Sequence, residues 1–192
     1  MESIKENDYA LTSGDIGYHF LVRVLSENGR SDILYKMNNR SDRPGYGYQL
    51  KKGATSLTES WAALPNQSNN HMMLGHLMEW FYSGLGGIYQ GDSSLAYEKI
   101  IIAPKPVGDI KWVNCSFNSP KGNIVSNWNI EGNTFTLNVK IPKGSVAKII
   151  IPKSYSKSII RVIDLIKTEA IEVNSKDCVL NLTSGKYKII TN

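Results

Sequence analysis

The sequence predicts a chain in two parts, a helical segment followed by an antiparallel β-sandwich. Three observations carry this. Apolar residues recur at helical spacing up to about Leu85. Short strand-like runs separated by turn signals follow from Ile100 onward. Between them lies a polar break, Gly91-Asp92-Ser93-Ser94, which places the boundary near residues 91–98. The expected division is a helical part over 1–92 and a strand part over 93–192. A length of 192 residues accommodates two such small domains or one large one.

Residues 1–13 read as a lead-in or a short helix end. Asp15 then precedes Ile16, Phe20, Leu21, Val24 and Leu25, the spacing of an amphipathic helix with Asp15 as its N-cap and Gly29 as its stop. A second helix is expected over Ser31–Asn38, capped by Ser31, with Ile33, Leu34 and Met37 inward. The short Asn-Gly-Arg link makes the two helices antiparallel neighbours. Pro44-Gly45-Tyr46-Gly47-Tyr48 reads as a loop. Its two tyrosines are either packing residues or the wall of a ligand cleft. Leu50 to Thr58 reads as loop with a short helix around Ser56.

The next helix is expected from Asn70 to about Leu85, ended by Gly84, Gly86 and Gly87. Met72, Met73, Leu77, Trp80, Phe81 and Leu85 make its apolar surface too wide for a lone surface helix. About 90 residues with three or four helices offer little to bury such faces against. The cover is the β part, a second chain or helices preceding this chain, and the last is the one expected.

The strand part is expected over Ile100–Ile102, Ile110–Phe117, Ile124–Ile130, Thr134–Ile141, Ala147–Ile151, Ile159–Ile163, Cys178–Leu182 and Tyr187–Ile190. Phe135, Leu137 and Val139 alternate with Thr134, Thr136, Asn138 and Lys140, the period of a half-buried strand. Turns are expected at Pro120-Lys121-Gly122-Asn123, Glu131-Gly132-Asn133, Lys143-Gly144 and Ser184-Gly185. Regular spacing of such strands indicates a sandwich.

Composition excludes several classes. Hydrophobic content of 41% and charged content of 20% describe a folding chain rather than a disordered one. The net charge of +5 is spread over scattered lysines, among them Lys51, Lys105, Lys140 and Lys157, without a dense run, so nucleic-acid binding is not expected. No apolar run reaches the roughly 18 residues of a bilayer span, and the start is too polar for a signal peptide. Cys115 and Cys178 lie in strand-like runs and read as free thiols, which leaves the compartment open. No metal or cofactor constellation is visible, since His71 and His76 lie five apart and would not share a helix face.

The chemistry-bearing stretch is Gly53 to Tyr82. Glu59 stands two residues before Trp61, a small polar loop follows, and His71 opens the apolar run. Taken singly, Glu59 reads as a surface or capping acid and His71 as a helix-start residue. Trp61 suits a core position as well as a sugar platform, because an aromatic face packs against sugar C–H groups and against Leu alike.

Taken in order, Leu-Thr-Ser-Gly-Asp-Ile-Gly (11–17), Pro-Gly-Tyr-Gly-Tyr (44–48), Gly-Ala-Thr-Ser-Leu-Thr-Glu-Ser-Trp (53–61), Asn-His-Met-Met-Leu-Gly (70–75) and Glu-Trp-Phe-Tyr (79–82) resemble the C-terminal end of bacterial α-L-rhamnosidases of glycoside hydrolase family 78. Ile-Ile-Ala-Pro-Lys-Pro (101–106) resembles the start of the sandwich that closes them. The resemblance implies the last helices of an (α/α)6 barrel followed by that sandwich. It also implies inverting hydrolysis of terminal α-L-rhamnosides, with no cofactor.

On this resemblance Glu59 is the general base, and Asn70, His71 and Trp61 are substrate-binding residues, with His71 orienting and Trp61 shielding the base. The general acid belongs to an earlier motif, upstream of residues 1–192, so the chain alone is expected to be inactive. Its expected partners are a rhamnose-containing oligosaccharide or glycoside and the N-terminal part of the enzyme. The sequence departs from the family pattern at Ser56, Thr58 and Ala62, all beside the base. The alternative expectation is a non-catalytic carbohydrate-binding or assembly module.

Overall fold

The computed structural model describes residues 2–155, 160–173 and 178–191, folded as two compact units, residues 1–80 and 81–192. The expected strand start at Ile159 and the surface lysine Lys157 lie outside the described residues. The division falls before the 91–98 stretch because the segment after Trp80 packs with the strands. Phe81–Leu85 forms a π turn whose Leu85 carbonyl accepts from Trp128 Nε1 at 2.8 Å. The next carbonyl, of Gly86, accepts from the buried Ser126 hydroxyl at 2.6 Å.

The first unit holds α1 (Glu2–Glu6), α2 (Asp15–Glu27), α3 (Ser31–Asn38) and α4 (Tyr46–Lys51). A 3₁₀ turn over Met72–His76 leads into α5 (Leu77–Trp80). The single helix expected from Asn70 is therefore a mixed helical path beginning at Met72.

Two expected caps move by one residue. Gly14 and Arg30 occupy the N-cap positions of α2 and α3, and neither makes a side-chain cap. Asp15 and Ser31 become the first helical residues, which frees their side chains for long-range bonds. Ser31 Oγ accepts from the buried Trp80 Nε1 at 2.9 Å. Gly29 ends α2 at φ +69°, a left-handed conformation that favours glycine. The Pro44–Tyr48 stretch is not all loop, since α4 starts at Tyr46. Its Gly47 lies against the Arg40 carbonyl so closely that a Cβ would overlap it. No helix forms around Ser56.

Tyr18, Val22 and Leu25 of α2 are buried with Ile33, Leu34 and Met37 of α3 and with Leu74. The opposite side of α2 is apolar too: Ile16, Phe20 and Val24 fall at i, i+4 and i+8 and are 65%, 61% and 56% exposed. A stripe of this kind faces a core in most surface helices, and here it faces outward.

The second unit is one eight-stranded sheet. Its strands are β1 (Ile88–Gln90), β2 (Lys99–Ile102), β3 (Trp112–Ser119), β4 (Gly122–Glu131), β5 (Thr134–Ile150), β6 (Ile160–Asp164), β7 (Glu169–Val173) and β8 (Val179–Thr191). All pairings are antiparallel except β2 with β5, which is parallel.

Four runs expected as separate strands are two long ones. β5 joins the expected runs from Thr134 and from Ala147 through a register shift between Ile141 and Val146 and ends at Ile150, one residue short of the expected Ile151, and β8 runs beside it through Ser184-Gly185. A bulge bends a strand without ending it. The bend lets β5 pair with β4 along its first half and with β2 along its second. The core lies on the face of Ile124, Trp128, Phe135, Leu137, Ile149 and Ile189. β1 and β7 were not legible in the sequence, because one has three residues and the other is an exposed edge without alternation.

Candidate active site

The loop from Glu59 to His71 is fastened at both ends to the residues that open α2. At its first end, Trp61 Nε1 donates to the Ser13 carbonyl at 2.8 Å. Its indole is 8% exposed and packs edge-on against Tyr18 and Tyr46, with ring centroids 4.9 and 5.0 Å away. At the other end, His71 Nε2 lies 2.9 Å from Asp15 Oδ2. A carboxylate accepts only, so Nε2 carries the proton and Nδ1 of the neutral ring is left as an acceptor.

Within the loop the chain folds back on itself. The Glu59 amide donates to Ser68 O, and the Ser68 amide donates to Glu59 Oε2, both at 2.9 Å. The His71 amide donates to Leu57 O at 2.9 Å, and Ser56 Oγ donates to Asn69 O. Asn70 is exposed, its amide donating to Ser68 Oγ at 3.2 Å.

Beneath the acid, Thr58 is buried and donates to Ser60 O at 2.7 Å, where Gln49 Nε2 also donates at 3.1 Å. The Gly45 amide donates to Trp61 O at 3.2 Å. Glu59 is thus an exposed carboxylate on an immobilised backbone, with one oxygen committed to Ser68 and the other free to accept. The hydroxyls of Ser13 and Ser60 and Gln67 Oε1 are buried without a partner among the described residues. All three belong to this loop or its anchor.

The four sequence-predicted residues therefore occupy one loop, in different roles. Glu59 and Asn70 face outward, Trp61 is turned into the aromatic cluster, and His71 is held by α2. The orienting partner of Glu59 is the Ser68 amide, and the hydrogen-bond partner of His71 is Asp15. Sequence reasoning missed Asp15, which the helix pattern assigned to capping. The only available signal was its place in the Leu-Thr-Ser-Gly-Asp-Ile-Gly stretch (11–17), one of the stretches that carry the family resemblance.

A second cluster joins His19 of α2 to His76 of the 3₁₀ turn, stacked at 4.6 Å, and to Glu79 of α5, which lies 3.6 Å from His19 and 3.9 Å from Arg23. Among the described residues no group of three or more His, Cys, Asp or Glu is arranged to hold a metal.

The His71 hydrogen bond, reinforced by the Ile16 amide, holds the Asp15 carboxyl below its usual range. A depressed carboxyl stabilises the fold above its unfolded value and loses that contribution as pH falls through its folded value. The gap in melting temperature between the wild type and Asp15→Asn is therefore expected to be full near pH 6. It should close as pH drops below about 4. A gap unchanged at low pH would show that the pair is not the tie. Burial pushes the Tyr46 phenol up to about 12 and Tyr18 still further, so both remain neutral donors at physiological pH. Tyr18 donates to Asn38 at 2.8 Å and Tyr46 to the Leu74 carbonyl.

The family model for the bacterial alpha-L-rhamnosidase 6 hairpin glycosidase domain matches residues 1–85, and that for the bacterial alpha-L-rhamnosidase C-terminal domain matches residues 87–162. The chain belongs to the bacterial α-L-rhamnosidase family.

It is 32% identical over 168 residues to an α-L-rhamnosidase of Formosa agariphila, covering 83% of this chain and 18% of that one. The structure of α-L-rhamnosidase from Dictyoglumus thermophilum superposes with a TM-score of 0.84 at 28% identity, over 98% of this chain and 22% of that one. The α-L-rhamnosidase of Streptomyces avermitilis, solved with L-rhamnose, gives a TM-score of 0.85 at 25% identity, over 100% of this chain and 19% of that one. The chain thus spans about a fifth of the length of these rhamnosidases. The helices-then-sheet architecture expected from the sequence is that of the family's six-hairpin and C-terminal domains.

Proposed function

We propose that this chain is the C-terminal segment of an inverting α-L-rhamnosidase acting on terminal α-L-rhamnosides, with Glu59 as the general base. Inversion needs an acid to protonate the leaving oxygen and a base to activate water on the opposite face of the ring, about 6.5–9.5 Å apart. The observation that carries the reading is the Glu59 carboxylate, exposed and held by the Ser68 amide on a loop fastened at both ends. Such a group accepts a proton from water without moving. His71, with Nε2 committed to Asp15, offers Nδ1 to a sugar hydroxyl. Asn70 offers its side-chain amide beside it, its backbone N–H being committed to Ser68, and Trp61 contributes by holding the loop from below.

We place the acid outside residues 1–192, in helices that pack on the outward stripe of Ile16, Phe20 and Val24. The chain alone is then expected to release no aryl alcohol from an aryl α-L-rhamnoside. Addition of a polypeptide carrying the upstream helices should restore release. Turnover by the chain alone that disappears in Glu59→Gln would overturn the placement of the acid. No turnover with the upstream helices bound would overturn the assignment as a whole.

A further inference from the structure

We propose that the open face of the sheet across β3, β4, β5 and β8 is a binding platform for an acidic polysaccharide. The inference concerns the second unit alone and does not depend on the role of Glu59.

Residues directly opposite on neighbouring strands share a face. Register places Trp112 opposite Asn129, and Asn129 opposite Thr136. The next row is Asn114, Asn127, Asn138 and Lys188, and the row beyond it brings Lys140 opposite Lys186. The core face is the other one, with Trp128, Leu137 and Ile189.

Three features of this face call for a sugar chain rather than for solvent. First, Trp112 is 66% exposed, while Trp61, Trp80 and Trp128 are all buried. A bare indole flanked by polar residues is a stacking surface for the C–H face of a pyranose. Second, the row of amides offers paired donors and acceptors to vicinal hydroxyls. Asn127 spends its oxygen on the Cys115 amide at 2.9 Å and keeps its NH₂. Third, Lys140 and Lys186 sit directly opposite with Lys188 beside them, and none of the three has an ion-pair partner among the described residues. Like charges directly opposite in a sheet destabilise it, so an anion on this face is favoured.

The wider charge distribution agrees. Of 22 Lys and Arg and 17 Asp and Glu, 14 and 8 respectively follow residue 80, a net +6 for the second unit against −1 for the first. Among the described residues, the acids on this face are Glu131, the last residue of β4, whose Oε1 accepts from Asn129 Nδ2 at 3.0 Å beside the Trp112 row, and Glu172 on the edge strand β7. Three strand spacings separate Trp112 from Lys188, about 14 Å, a length that several sugar rings span. A polymer crossing the strands would stack on the indole at one end and place carboxylates over the lysines at the other.

The test is affinity electrophoresis of the chain in gels containing polygalacturonate, with pullulan as a neutral glycan and a single-stranded oligonucleotide as a non-sugar polyanion. Retardation is expected with polygalacturonate and not with the other two. Trp112→Ala, whose side chain lies outside the core, should keep the wild-type melting temperature and weaken retardation roughly tenfold. Lys140→Gln combined with Lys186→Gln should weaken it too and flatten its salt dependence.

An independent readout is tryptophan emission. Because the other three indoles are buried, acrylamide quenching reports on Trp112, and saturating polygalacturonate should shield it. Absent retardation, equal retardation by pullulan or by the oligonucleotide, or quenching unchanged by polygalacturonate each overturns the proposal. So does full binding by Trp112→Ala.

Discussion

Glu59→Gln is expected to lower kcat on an aryl α-L-rhamnoside by about 10²–10⁴-fold, the usual contribution of a positioned base, with KM little changed. The measurement is made on this chain paired with the upstream helices. Glutamine keeps the shape of the side chain and an oxygen that accepts from the Ser68 amide, so the loop retains its latch. What is lost is the capacity to take a proton. The melting temperature should therefore stay within a degree or so of the wild type, as for surface changes that leave contacts intact. A parallel fall in stability and turnover would identify Glu59 as a latch for the loop and remove it from the chemistry. The released sugar should carry the inverted anomeric configuration when first formed, read by NMR before mutarotation. Retention would be incompatible with Glu59 activating the water of a single displacement.

Gly87→Ala is expected to be the most damaging single substitution in the second unit. Gly87 has φ +70°, where a side chain costs about 1–2 kcal/mol. A Cβ there would also overlap the Pro104 nitrogen and the Ala103 carbonyl carbon and lie 2.6 Å from the Ala103 oxygen. These are backbone atoms, and Ala103 is tied to this position, its amide donating to the Gly87 carbonyl at 2.8 Å. They cannot rotate away as a side chain would. The combined cost is about 3–5 kcal/mol, a drop of about 15 °C or more in melting temperature.

Gly132→Ala is the matched control. Gly132 has φ +58° but nothing within 4 Å of its virtual Cβ, so it should show the conformational cost alone. Equal losses at the two positions would mean that the close approach at Ala103 contributes nothing.

The helical first part, the strand-rich second part and the loop that carries Glu59 were legible from local signals. Apolar spacing in α2 and α3, period-two alternation in β5 and a motif series in fixed order are properties of neighbouring residues. The failures share a cause. Asp15 and Ser31 look like caps because capping is the commonest local use of their side chains. In the fold their bonds run to His71 and from Trp80, 56 and 49 residues away. Lys143-Gly144 looks like a turn, yet strand β5 passes through it with a shift of register, because β8 pairs with it on both sides. Tyr46 and Trp61 could have lined a cleft, and their burial against Tyr18 depends on where α2 and α4 meet.

The sequence by itself determined the succession of a helical part and a strand part, the family, and the stretch that holds Glu59, because these are written in residue type and short-range spacing. Only the tertiary structure decided which groups hold the Glu59 carboxylate, which way each aromatic turns, and which face of the sheet carries the core. Those outcomes depend on hydrogen bonds and packing between segments far apart in the chain, and a one-dimensional pattern carries no record of such distances.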